Sequence, residues 1–296
     1  MKKLTFIISF VAVFVFDSFG QQLPQITQFM LNNYAINTAF AGKESAIEAR
    51  ILNRDQWTGI TDAPRTFNLS VQGMTKNPKV GIGGVIFSDN AGPTRRMGLN
   101  LSYAYHLNLT DKWKLGLSVA GGALQFSIDG TRIDLDQADD PALFSEKRTQ
   151  LVFDASFSAL VYREDFYFGV TLQQLMQNNL DLYESIAEEG NKLEDHYYVT
   201  AGYKHELSDK WAVEPAILTK YVSPAPLKTD LSLRVIYDSK VWLGGTYRTN
   251  DAIAMFAGYN YNDQISIGYA YDITTSSIKS FSDSTHELTL AFKVSK

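Results

Sequence analysis

From Met97 to Leu107 the side chains alternate in kind: Met97, Leu99, Leu101, Tyr103, Tyr105 and Leu107 share one parity, and Gly98, Asn100, Ser102, Ala104 and His106 share the other. An extended strand sends successive side chains to opposite faces, so this stretch has one apolar face and one small or polar face. Its length suits a bilayer, because a tilted spanning strand needs about 9–11 residues whereas soluble strands average about 5–6. The same alternation recurs along the chain. It predicts strands around Ile47–Leu52, Phe67–Gln72, Val80–Ser88, Met97–Leu107, Lys114–Val119, Phe153–Tyr162, Phe166–Leu175, Tyr197–Leu207, Trp211–Tyr221, Leu227–Tyr237, Val241–Arg248, Ala252–Tyr259, Ile265–Tyr271 and His286–Val294, about fourteen in all.

The connections sort into two kinds. Every second one is short: Thr75–Lys79, Asn108–Lys112, Arg163–Asp165, Ser208–Lys210, Asp238–Lys240 and Asn260–Gln264. Those between are mostly longer, at Asp55–Arg65, Asp89–Arg95, Gly130–Gln150, Met176–His196 and Asp272–Thr285, although Ser223–Pro226 and Thr249–Asp251 are brief. An even number of strands with short turns on one rim and long loops on the other is the plan of an all-β transmembrane antiparallel barrel, with both termini on the short, periplasmic rim. Trp113 and Trp211 each follow an Asp-Lys turn on that rim, where aromatic girdles meet the membrane interface. A soluble β-sandwich also alternates, but its strands should be shorter and its turns should not sort by rim.

The first twenty residues change the picture of compartment. Lys2 and Lys3 precede an apolar run from Phe6 to Phe16, and small residues follow at Ser18 and Gly20. That is the pattern of a secretory leader cleaved between Gly20 and Gln21. The expected organisation is a signal peptide at 1–20, an irregular periplasmic lead-in at 21–45 and a barrel at 46–296. The net charge of −5 and the absence of cysteine argue against nucleic acid, disulfides and thiolate metal sites.

Four segments resemble the PorP/SprF family of type IX secretion system outer-membrane proteins of Bacteroidota. They are QITQFMLNNYAINTAFAG (Gln25–Gly42), NRDQWTGI with DAPRTFNLSVQG (Asn53–Gly73), SDNAGPTRRMGLNLSYAYHL (Ser88–Leu107) and DQADDPALF (Asp136–Phe144). Thr38, where the family usually has Pro, and Asp55, where Asn is common, depart from the pattern. The resemblance implies a Gram-negative outer-membrane barrel of the secretion and gliding machinery. Such a barrel engages other secretion components and a large secreted adhesin or cargo protein through that partner's C-terminal domain.

Candidate chemistry adds little. His106, His196, His205 and His286 are spread over different elements, and there is no G-x-S-x-G elbow, so no enzymatic activity and no cofactor is expected. Asp134, Asp136, Asp139 and Asp140 form an acidic run without the register of a dedicated calcium loop. Glu48, Arg50, Arg54 and Asp55 are candidates for a charge network in the lumen. Trp57, Arg65, Arg95 and Arg96 are candidates for partner contact, since aromatic and Arg anchors dominate such surfaces. A porin for small solutes is the main alternative to a secretion accessory, and a barrel hydrolase is a distant third.

Overall fold

The computed structural model describes residues 23–133, 146–180, 182 and 192–294. The leader with its Gly20–Gln21 cleavage position, the acidic run Asp134–Asp140 and the matching stretch Asp136–Phe144 lie outside the described residues.

The strands are β1 (Ile47–Thr58), β2 (Arg65–Met74), β3 (Val80–Ala91), β4 (Thr94–Asn108), β5 (Lys114–Asp129), β6 (Lys147–Tyr162), β7 (Phe166–Gln173), β8 (His196–Tyr203), β9 (His205–Glu206), β10 (Trp211–Val222), β11 (Lys228–Tyr237), β12 (Val241–Arg248), β13 (Ala252–Asn260), β14 (Ile265–Thr274) and β15 (Ser284–Val294). β8 and β9 are one stave interrupted at Lys204, since both pair with β10, so the barrel has fourteen staves. Each neighbouring pair is antiparallel, and β1 closes the sheet on β15 as well as on β2. Closure leaves no open edge, which is the condition for a sheet to stand in lipid.

Burial is inverted relative to a water-soluble protein. Leu101 is 62% exposed and Phe153 is 70% exposed, whereas Ser158 and Glu287 are fully buried. The outward face therefore matches hydrocarbon, and the inward face gathers the polar parity of every strand. Among the described residues no helix is long and apolar enough to cross a membrane.

Two departures from the sequence reading matter. The connection expected over Asp89–Arg95 is a tight turn at Gly92–Pro93, because β3 and β4 continue pairing through Asp89↔Arg96 and Asn90↔Arg95. Gly92 has φ +57, the left-handed value that glycine adopts without steric cost. The second concerns the lead-in, expected as a periplasmic extension. Its residues from Thr27 to Gly42 fill the lumen, through a 3-10 turn at Phe29–Leu31, a helical turn at Asn33–Ile36 and a second 3-10 turn at Thr38–Phe40. Phe29, Met30 and Ile36 pack on inward-facing Leu218, Trp242 and Phe256; Tyr34, Ala39 and Phe40 pack on Leu160, Tyr162 and Tyr167. The segment lacks strand period because it serves as the core of the barrel rather than part of its wall. Its exit is a backbone-to-backbone contact, in which a Cβ added at Gly81 would lie 1.8 Å from the Ala41 carbonyl oxygen.

Candidate functional site

The inward parity of the long-loop half of the barrel carries ions. Arg54 on β1 reaches Asp272 on β14 at 2.9 Å and Glu287 on β15 at 3.2 Å. Arg248 on β12 reaches Asp230 on β11 at 3.2 Å and Asp272 at 3.2 Å, and Lys220 on β10 meets Asp230 at 3.0 Å. All six are inward-facing, with Lys220 the most open of them. Charges removed from water are tolerated only when paired, so each cation here spans strands to find carboxylates.

The plug is wired into this network through its backbone. The Thr27 and Gln28 amides each donate to the Glu287 carboxylate at 2.8 Å. Thr27 Oγ1 donates to Asp272 at 2.8 Å and accepts from Arg54 Nη1 at 2.7 Å and Arg248 Nη2 at 3.2 Å. One hydroxyl thus links three elements of the wall to the plug. Farther along, Tyr34 bonds Ser102 at 2.7 Å, Asn37 Nδ2 donates to the Ala159 and Val170 carbonyls, and Thr38 meets Ser118 at 2.7 Å.

A second charged layer lies at the short-turn mouth. Arg50 pairs with Glu48 at 3.1 Å, Arg234 with Glu214, and Lys293 with Glu44 and Glu48 at 3.2 and 3.1 Å. The Lys43 ammonium lies 5.6 to 5.8 Å from the ring centres of Phe40, Tyr162 and Tyr167, a cation–π arrangement. Burial pushes the Lys43 amine below its usual range, opposed by the Glu44 and Glu214 carboxylates. His106 Nε2 lies 2.8 Å from the Ala41 carbonyl, which can only accept, so that nitrogen carries the proton and Nδ1 accepts from Tyr162 at 2.9 Å. Among the described residues the plug occupies the lumen between the two layers, and a cavity of about 120 Å³ is bordered by Leu23, Ile26, Asn68, Asn100, Tyr198 and Lys220.

The expected lumen network is brought together in part. Glu48, Arg50 and Arg54 face inward, but Asp55 does not join them. It is adjacent to Arg54 along an extended strand, so it points to the opposite face, where it meets exposed Arg65 at 3.5 Å. The expected contact set also splits. Arg65 and Arg95 are exposed on the outer face, whereas Arg96 turns inward with its guanidinium 5.7 Å from the Phe126 ring centre. Trp57 sits at the rim with φ +53, its amide donating to Thr285 Oγ1 at 3.0 Å. Alternating parity places Arg95 and Arg96 on opposite faces for the same reason that it separates Arg54 from Asp55. Sequence reasoning missed Thr27, Asp230, Arg248, Asp272 and Glu287. The four ionisable ones were detectable as charges on the inward parity of strands, the parity test already applied to Arg54.

The histidines are dispersed. His106 holds the plug, His196 stacks on Tyr198 inside, His205 stacks on Tyr203 outside, and His286 faces outward. His286 Nε2 is 2.9 Å from Ser284 Oγ, with Tyr269 on Nδ1 at 2.6 Å. That pair has a phenol where a triad has a carboxylate, and Ser284 is buried with its hydroxyl shared with Thr58 at 3.2 Å. The arrangement therefore presents no attacking oxygen. Among the described residues no group of three His, Cys, Asp or Glu side chains is placed to hold a metal ion.

Residues 18–292 match the family described as type IX secretion system membrane protein PorP/SprF. No curated protein matches the chain. Among solved structures, the Acinetobacter baumannii outer membrane protein Omp33 is 8% identical with a TM-score of 0.51, covering 86% of this chain and 100% of its own. The CymD monoaromatic hydrocarbon channel is 12% identical with a TM-score of 0.51, covering 93% of this chain and 94% of its own. At such identities the likeness is one of fold.

Proposed function

The chain belongs to the PorP/SprF family of type IX secretion system membrane proteins, and from that premise we propose that it is a non-conducting barrel that binds one large secreted partner at its long-loop rim and catalyses nothing. The partner class is a surface adhesin or a cargo protein recognised through its C-terminal domain, acting with other secretion components. The short-turn rim, where β1 begins and β15 ends, faces the periplasm in this reading.

The observation that carries it is the lumen. Residues Thr27 to Gly42 occupy it and are bonded to β1, β4, β5, β6, β12, β14 and β15 by buried polar groups. A solute porin needs that space. On the long-loop rim a groove of about 720 Å³ runs past Gln56, Ile60, Pro64 and Arg132. Its loop is pinned by Gly92 N to the Asp62 carbonyl at 2.9 Å, Arg132 to Asp62 at 2.6 Å and Asp283 N to the Thr58 carbonyl at 2.8 Å. A groove already rigid loses little conformational freedom on binding, which favours recognition. Trp57 stands in the chain between two lining residues, Gln56 and Thr58, and is the aromatic anchor of the rim in this reading; truncating such an anchor to Ala typically costs about 2 kcal/mol or more of binding.

Planar-bilayer recording of the purified protein tests the reading, with a silent barrel expected. A large, steady open pore, together with lost uptake of a small solute in a deletion strain whose export continues, would establish the porin alternative instead. The expected deletion phenotype is a partner left unsecreted with normal outer-membrane permeability, and the partner should co-purify with the barrel from native membranes.

A further inference from the structure

The outer face of the barrel has a sharply layered composition on one side. Across six adjacent strands, Leu290, Ile51, Leu69, Ile86, Leu99 and Ala123 are direct neighbours in register and form an apolar row facing lipid. Four residues nearer the long-loop rim on the same strands, and on the same face, His286, Asp55, Arg65, Asn90, Arg95 and Ser127 form a second row of direct neighbours. The row between them is mixed, with Phe67 and Met97 beside Asn53 and Ser88. A two-residue step is about 6–7 Å along a strand and about 5 Å along the axis of a tilted barrel. The polar row therefore stands about 5 Å beyond the mixed boundary row, at headgroup depth.

Two features of that row point to an anionic ligand. Arg65 and Arg95 are two strands apart, so their backbones are about 10 Å apart with Asn90 between them. Both side chains are exposed, and of the two carboxylates lining the adjoining groove, Asp62 is taken by Arg132 at 2.6 Å while Asp55 meets Arg65 at 3.5 Å in a pair with the Arg side chain 79% open. An exposed pair of that kind is weak and leaves guanidinium donors free. Guanidinium groups match phosphate oxygens in geometry as well as charge.

We propose that Arg65, Asn90 and Arg95 form an outer-wall site for the phosphate-bearing headgroup of a membrane lipid in the leaflet that meets the long-loop rim. The acyl chains of that lipid lie on Leu69, Ile86 and Leu99 directly below. Lipid phosphate then orients the wall beneath the partner groove and fixes the depth of the barrel in the bilayer. Arg65 and Arg95 serve lipid in this assignment; Arg65 and Asn90 also form the lower edge of the rim groove, so partner contact falls to its upper part, the 56–64 loop and Arg132.

Native mass spectrometry of the full chain released from detergent tests this, with added phosphatidylglycerol compared against a galactosyl diacylglycerol of equal chain length. The intact protein should retain phosphatidylglycerol preferentially, and Arg65→Gln with Arg95→Gln should weaken that retention by about tenfold or more without affecting the glycolipid. Asp55→Asn removes the competing carboxylate, so it should strengthen retention even if the double variant folds poorly. Equal retention of the two lipids by the intact protein, or unchanged or weaker phosphatidylglycerol binding in Asp55→Asn, would overturn the proposal. Failure here leaves the plugged, partner-binding reading untouched, because that reading is tested by conductance and export.

Discussion

Arg54 and Arg65 flank the same rim loop, yet the structure assigns them opposite energetic weight, and replacing each by Met separates the two. Arg54 is 2% exposed at its side chain and bridges Asp272, Glu287 and Thr27. Removing it leaves Glu287 with two plug amides and Asp272 with Arg248 and Thr27, so both carboxylates keep part of their compensation. Breaking a buried pair by deleting one partner costs about 3–5 kcal/mol, and that residual bonding places Arg54→Met near about 3 kcal/mol. Arg65→Met removes only an exposed pair and should cost about 0–1 kcal/mol. Urea unfolding of the barrel in lipid vesicles, followed by tryptophan fluorescence, measures both. Glu287→Gln turns an amide NH2 onto one of the two plug amides and is costly by itself, but Arg54→Met with Glu287→Gln should cost less than the sum of the two single changes, because the second removes the charge that the first leaves unpaired. Equal costs for the two arginines would refute the inward and outward facing on which the lumen site rests. Strictly additive costs of the two changes would refute the electrostatic account.

Leu101→Arg puts a cation into the lipid-facing band at mid-strand and should cost about 2–4 kcal/mol in the same unfolding assay, whereas Ser102→Ala, facing the plug, should lose the Tyr34 hydrogen bond and a long one to the Gly83 carbonyl, about 1 kcal/mol. Gly81→Ala should unseat the plug tail, since the new methyl overlaps the Ala41 carbonyl; a cost of about 1–3 kcal/mol and faster proteolysis near Lys43 are expected, and an unchanged digestion pattern would count against the close contact. Deleting residues 23–42 should convert a silent barrel into a conducting one in planar bilayers; a deletion that folds and stays silent would show that the lumen is closed by something else.

The alternation of residues such as Leu99 to Leu107 was sufficient to determine a barrel, its number of staves and which face meets lipid. In an extended chain, side-chain direction follows position alone. The same local rule already separated Arg54 from Asp55 and Arg95 from Arg96, so grouping those pairs by proximity in sequence ran against it. The plug was decided only by the tertiary structure. Residues 27–42 have no period, and what seats them is the closed wall, which supplies Trp242 and Phe256 for their apolar groups and Glu287, Asp272 and His106 for their backbone and hydroxyl groups. Those partners lie up to 260 positions away along the chain. A contact of that range depends on closure, which parity within one strand does not contain: only when β1 meets β15 do Arg54, Asp272, Glu287 and Thr27 come within bonding distance of one another.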